Sequence, residues 1–343
     1  MKSGFPITTW LLFLFTVGSR GLNLCPPYDE ILPCGCYPHA IASIDFLCYD
    51  GTESEIHLAF NNATWDVTEL RFLTMNGLSI EKLPEGAFGD VSFQEMRLQY
   101  NEVLASVHAT ALLPSKNRLV KIFLDYGNVN AFPFDILPEM TALKELKMGF
   151  NSLTEVPVLR SNSLEILDLA FNRIRSLKEG AWSLPNLTTF RLLGNELMTL
   201  PEGIVSNMER LVSFECQMNR LGPTLPKDLL NFASSTLNLI HLAGNGISRL
   251  EPGAITGLQV NTTMCLHQNS FELLDEASFR PIVESILSGS GYLDLNGNPF
   301  TCDCDLAWLV INEGLRFEVN GFCRDNEIPL RDLDPEEYIQ LCT

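Results

Sequence analysis

The stretch Leu143-Lys-Glu-Leu146-Lys-Met148-Gly-Phe150-Asn151-Ser-Leu153 fits the template L-x-x-L-x-L-x-x-N-x-L, and the template returns twice immediately downstream. Leu164, Leu167, Leu169, Asn172 and Ile174 form the next copy, and Leu187, Phe190, Leu192, Asn195 and Leu197 the one after. A repeat of this length is one supersecondary unit that cannot bury its apolar face alone, so copies must stack. Beyond these three, Leu211 to Leu221 and Leu237 to Ile247 continue the pattern, and copies around Asn269 and Asn298 close it. Upstream, weaker copies begin at Leu70, Phe93 and Leu119, giving ten in all at a spacing of about 24 residues.

Within each copy, apolar residues at the fourth and sixth positions alternate with outward-pointing neighbours, the mark of a short strand with one face on a core. Strands of successive copies pair in parallel. The template Asn stands where the chain leaves the strand, and its amide can satisfy backbone groups in the turn. Leu78 and Gly127 replace it in the first and third copies, which predicts distorted turns there. On the return path, Phe88, Trp182 and Ile255 each end a Gly-Ala-containing segment and are expected to close the core.

This pattern resembles the typical extracellular class of the leucine-rich repeat family. The resemblance implies an α/β solenoid, a right-handed horseshoe with a parallel concave β-sheet of about ten repeats, roughly 48 Å along the stack at about 4.8 Å per strand. A length of 343 residues would otherwise suggest two or three domains. Here residues 56–300 are read as one repeat array, flanked by cysteine-rich segments at 22–55 and 301–343.

Residues 1–21 read as a secretory signal peptide, with Lys2, an apolar run from Trp10 to Val17, and Gly18, Ser19 and Gly21 near the cleavage point. The run is far short of the roughly 20 residues that cross a bilayer. No later run reaches that length, so the expectation is a secreted, extracellular chain without membrane insertion. The formal net charge of -19, from 23 basic and 42 acidic residues, disfavours nucleic acid and anionic membrane surfaces as partners.

Eight of the ten cysteines bracket the array: Cys25, Cys34, Cys36 and Cys48 before it, and Cys302, Cys304, Cys323 and Cys342 after it. Counting leaves three pairings open in each group. The groups resemble the terminal caps of the family, which implies Cys25 with Cys36, Cys34 with Cys48, Cys302 with Cys323 and Cys304 with Cys342. A secreted chain with C-x-C spacing argues for such caps over zinc clusters. The block Cys25-Pro26 followed by Ile31-x-Pro33-Cys34-x-Cys36 further resembles arthropod proteins similar to the non-catalytic subunit of the oplophorus luciferin monooxygenase. That resemblance implies a stabilising or scaffolding subunit for a separate secreted enzyme.

Cys216 takes a core position, and Cys265 depends on register. With Met264 and Leu266 in the core, Cys265 faces the concave side and Asn261 the core; with Val260 opening the repeat, Cys265 is buried and one residue is inserted before Asn269. Asn261 belongs to a glycosylation sequon, as do Asn62 and Asn186. A glycan at Asn261 would favour the second register.

None of the five histidines, His39, His57, His108, His241 and His267, belongs to a catalytic or metal-spaced motif, and glycine-rich phosphate loops are absent. The sequence therefore points to no catalytic residue, cofactor or metal. In the first register Glu215, His241, Cys265 and Asp294 would share one outward position, an arrangement open to a thiol nucleophile with its base or to an ordinary polar face.

Recognition is the expected role. Tyr100, Tyr126, Phe150 and Phe171 occupy the slot before the template Asn, or its substitute, in four consecutive repeats, a stripe serving either binding or turn packing. Arg97, Lys121, Lys144, Lys147 and Arg191 lie on outward positions of the second to sixth repeats. They either form a basic strip for an acidic partner or pair with Glu95, Glu145, Glu165 and Asp168 on the same face. The partner expected is an extracellular protein, a secreted enzyme subunit in the first instance; a matrix or soluble receptor-like role is the alternative.

Overall fold

The computed structural model describes residues 24–39, 43–287, 289–325 and 327–342, so the leader read at residues 1–21 lies outside the described residues. One sheet of 13 strands carries the fold. β1 (Cys34–His39) and β2 (Ser43–Tyr49) pair antiparallel at one end. The ten repeats then supply β3 (Glu69–Asn76), β4 (Ser92–Arg97), β5 (Lys121–Phe123), β6 (Glu145–Lys147), β7 (Ile166–Asp168), β8 (Thr189–Arg191), β9 (Ser213–Glu215), β10 (Leu239–His241), β11 (Thr263–Cys265) and β12 (Leu293–Asp294). β13 (Val319–Asn320), from the carboxy-terminal cap, completes the sheet. Every pairing from β2 onward is parallel between neighbours in the chain, so the molecule is a leucine-rich repeat solenoid. Both caps contribute strands to the sheet.

The template leucines form a single continuous core: Leu143, Leu146, Met148, Leu164, Leu167 and Leu169 are at most 1% exposed. Phe88, Trp182 and Ile255 are buried where the return path closes it. The template asparagines join one repeat to the next. Asn195 Nδ2 donates to Leu169 O at 3.0 Å and to Leu192 O at 2.9 Å, while its Oδ1 accepts from the Ile174 N–H at 3.0 Å.

The turns after Met75 and Leu124 are not distorted, contrary to the expectation from Leu78 and Gly127. As Asn172 does for the repeat that keeps Asn151, the Asn of the following repeat bonds back: Asn101 to Leu78 N and Met75 O, and Asn151 to Val129 N and Leu124 O. The residue before the template Asn is left-handed in all ten repeats, from Gly77 to Gly297, with φ between +52° and +70°.

Disulfides Cys25–Cys36 and Cys34–Cys48 bind the amino-terminal strands, the second crossing from β1 to β2. Helix α1 (Glu53–Asn61) follows, begun by a capping box of Thr52 and Glu55. It lies on the return path from β2 to β3 and buries Ile56, Ala59 and Phe60 in the core, where Phe60 meets Phe46 and Phe88 at ring distances of 4.9 Å. At the other end, α2 (Glu276–Ile286) lies on the return path of the ninth repeat, and α3 (Pro335–Cys342) ends the described chain. Cys302–Cys323 and Cys304–Cys342 hold this cap. Trp308 Nε1 donates to Leu274 O at 3.0 Å, and Tyr338 Oη to Cys302 O at 2.8 Å.

Candidate binding face

Alternation along each short strand sends its third and fifth template residues outward, and parallel in-register pairing lines them up in rows across the sheet. The register Glu95↔Lys121↔Glu145↔Ile166 gives one row, and Arg97↔Phe123↔Lys147↔Asp168↔Arg191↔Glu215 the next. Opposite charges are thereby placed about 4.8 Å apart.

The bases of the strip are paired on this face. Arg97 lies 2.5 Å from Glu95, Lys121 2.6 Å and Lys147 3.4 Å from Glu145, and Lys144 2.7 Å from Glu165. Arg191 bridges Glu215 at 3.1 Å and Asp168 at 3.4 Å. Burial pulls the Glu145 carboxyl upward, but the hydrogen bond from Lys121 and the charge of Lys147 outweigh it and leave it below its ordinary range. Asp125 goes the other way. Burial raises its pKa against bonds donated by the Gly149 N–H and the Gln99 amide, and nearby Asp168 adds to the rise.

Two outward aromatic residues on the third and fifth rows escape the template reading, because neither stands at the slot before the Asn. Arg71 sits over the Phe72 ring at 4.2 Å, and Lys147 over Phe123 at 5.0 Å. The alternation of the strands is the signal that marks both as outward.

Tyr100, Tyr126, Phe150 and Phe171 form a continuous stack, with centroids 5.1, 4.6 and 4.4 Å apart and planes within 18° of parallel. Each has a left-handed φ, a conformation that costs a residue with a Cβ about 1 kcal/mol or more. Glycine meets the same need without that cost at Gly77, Gly194, Gly244 and Gly297. The stack ends against Gly194, where an added Cβ would come within 2.6 Å of the Phe171 ring. Despite the stacking, Tyr100 is 59% exposed and Phe171 37%. Beside the stack lies an open depression of about 490 Å³, lined by Asp125, Tyr126, Phe150, Asp168, Phe171 and Arg191 among others.

The ninth repeat adopts the register with Met264 opposite Ile240 and Leu293, and Met264 and Leu266 are buried. Two consequences expected of that register are corrected. Asn261 is exposed, because Thr262 takes the core place and donates its hydroxyl to Leu237 O at 3.1 Å. Cys265, though on the concave side, is buried, with His241 and Asp294 opposite it on the adjoining strands. Burial, with the charge of Asp294, pushes its thiol up to about 11, so it is protonated at neutral pH and ill suited to nucleophilic attack. Glu215 of that row is engaged by Arg191 and by the Ser213 hydroxyl. Cys216 is a second free thiol, fully buried in the core. Among the sequons, Asn62 and Asn261 are exposed, and half-buried Asn186 donates to Asn162 O at 2.7 Å.

No family model matches the chain. Over 325 residues, 93% of this chain and 88% of the relative, it is 25% identical to the oplophorus-luciferin 2-monooxygenase non-catalytic subunit of Oplophorus gracilirostris. It is 30% identical to human podocan-like protein 1 over 53% of this chain, which covers 35% of that protein. Osteomodulin of Rattus norvegicus is also 30% identical, over 40% of this chain and 34% of the relative. Among solved structures, a chain from the octameric complex of Latrophilin 3, Unc5D and FLRT2 superposes with a TM-score of 0.66 at 22% identity, covering 87% of this chain and 90% of that one. A leucine-rich repeat protein of Leptospira interrogans gives 0.50 at 18% identity, over 79% of this chain and 68% of that one. Both structural likenesses concern the fold.

Proposed function

We propose that this chain is a secreted, non-enzymatic scaffold whose concave face, centred on the stack from Tyr100 to Phe171, docks an extracellular protein, in the first instance the catalytic subunit of a secreted enzyme. In this reading residues 1–21 are removed as a leader, residues 22–55 and 301–343 cap the array at 56–300, and Asn62, Asn186 and Asn261 are glycan acceptors. The observation that carries it is the exposed stack. Four consecutive repeats hold a large ring in a backbone conformation that glycine would adopt at lower cost, and the core gains nothing from it. Rigid, exposed aromatic rings are the residues from which interface hot spots are made.

Paired charges beside the stack give the face orientation and selectivity rather than a uniform sign. Arg97, Lys121, Lys144, Lys147 and Arg191 enter the interface as members of ion pairs. A catalytic role finds no support on this face, where the one concave thiol is buried and protonated. The end-to-end similarity to a subunit named as non-catalytic favours the enzyme-partner reading.

Affinity capture from native extracellular fluid with the intact chain, followed by mass spectrometry, tests it. Stoichiometric recovery of an enzyme that is lost with the double variant Tyr126→Ala, Phe150→Ala, at unchanged circular dichroism, is the expected result. Recovery of matrix components instead would move the assignment to a matrix role, and equal capture by the variant would remove the stack from the interface.

A further inference from the structure

At the carboxy-terminal end of the same face, away from the stack, three short strands bring metal-ligating side chains together. The pairings His241↔Cys265 and Cys265↔Asp294 place an imidazole, a thiol and a carboxylate in one row. His267 follows Cys265 by two residues and so points to the same side of the sheet. The ligand atoms of Cys265, His267 and Asp294 all lie within 4.8 Å of one another, and the His241 ring stands edge-on to that of His267 at 5.2 Å. We propose that Cys265, His267 and Asp294, with His241 as the fourth ligand, form a site for a divalent transition metal of the zinc type.

Three observations beyond proximity point to a cation. Cys265 is 8% exposed, which leaves a thiol facing two imidazoles and a carboxylate with almost no water. His267 Nδ1 lies 3.1 Å from Asp294 Oδ2 without hydrogen-bond geometry, and His241 Nδ1 is likewise buried without a hydrogen-bond partner among the described residues. A separation near 3 Å is what two ligands of one ion adopt when each bond is about 2.0 to 2.1 Å long. Asp294 is also oriented from behind, since its Oδ1 accepts from Asn296 N at 3.1 Å and from Asn296 Nδ2 at 2.7 Å, leaving Oδ2 directed at His267. Outer hydrogen bonds of this kind set the direction of a ligating carboxylate. One thiolate, two imidazoles and one carboxylate suit zinc and its neighbours, not calcium or magnesium, which take oxygen donors. On binding, Cys265 gives up its thiol proton to solvent and bonds the metal as thiolate.

The test uses the full secreted chain with its disulfides intact, stripped of metal and titrated with Co²⁺, then Zn²⁺. The expected result is a thiolate-to-cobalt charge-transfer band that saturates at one equivalent and is bleached by Zn²⁺. Cys265→Ser abolishes the band, His267→Gln weakens Zn²⁺ binding by at least about tenfold, and His57→Gln, on α1, changes neither. If Cys265→Ser fails to fold, judged by its melting curve without metal, His267→Gln and Asp294→Asn in a Zn²⁺ competition titration carry the same decision. Absence of the band, its survival in Cys265→Ser, unaltered affinity in His267→Gln, or equal binding of Ca²⁺ would each overturn the site. None of these readouts depends on the protein partner.

Discussion

Asn195 bonds four backbone groups in two repeats from a position 6% exposed; its removal leaves Ile174 N without its partner, while Leu169 O and Leu192 O each lose one of two side-chain donors and keep Asn172 and Asn219. Asn195→Ala should therefore cost about 1 to 3 kcal/mol, seen as an earlier midpoint in urea unfolding. At Leu78 and Gly127 the repeat lacks its own amide but keeps the bonds back from the next Asn that Asn172 and Asn195 also make, a link between repeats that a single template copy cannot reveal. Glu145 gives a prediction with a sign in pH. Its folded pKa is below the ordinary 4.5, so the stability it contributes is present above that value and is lost as pH falls through the folded one. Glu145→Gln should be less stable than the parent near neutral pH, and the difference in denaturant midpoint should shrink as pH falls below 4.5 and through the lowered folded value.

At the scale of elements, the caps differ from the repeats in how they are held. β13 has two residues and joins the sheet only through β12, so its cap relies on the disulfides, on Trp308 and on the Tyr338 hydroxyl. Cys304–Cys342 closes a span of 38 residues. Replacing both by Ser should destabilise the carboxy-terminal end by about 2 to 5 kcal/mol. Because each repeat contacts chiefly its neighbours, that loss should appear as early hydrogen exchange in β12 and β13 while β6 to β8 stay protected. The amino-terminal cap adds an aromatic cluster of Phe46, Phe60, Phe88 and Phe93 under α1, so reduction alone should loosen it less.

Over the whole molecule, the period in the sequence carried most of the architecture. Strand placement, the single core and the outward rows follow from apolar residues at fixed intervals, because a stack of identical turns has only one way to bury them. Residue identity likewise located the aromatic slot and the bases. Spacing within one repeat is a local property, and it reaches no further than the repeat. Whether Arg191 stands free or between Asp168 and Glu215, whether four rings stack into one ledge, and whether Cys265 meets His267 and Asp294 depend on side chains from different turns brought within a few ångströms. Thr262 rather than Asn261 enters the core for the same reason: its hydroxyl finds the Leu237 carbonyl one repeat away. The sequence by itself determined a capped solenoid of ten repeats; only stacking the turns decided which outward charges cancel, which rings remain exposed, and where ligating groups converge.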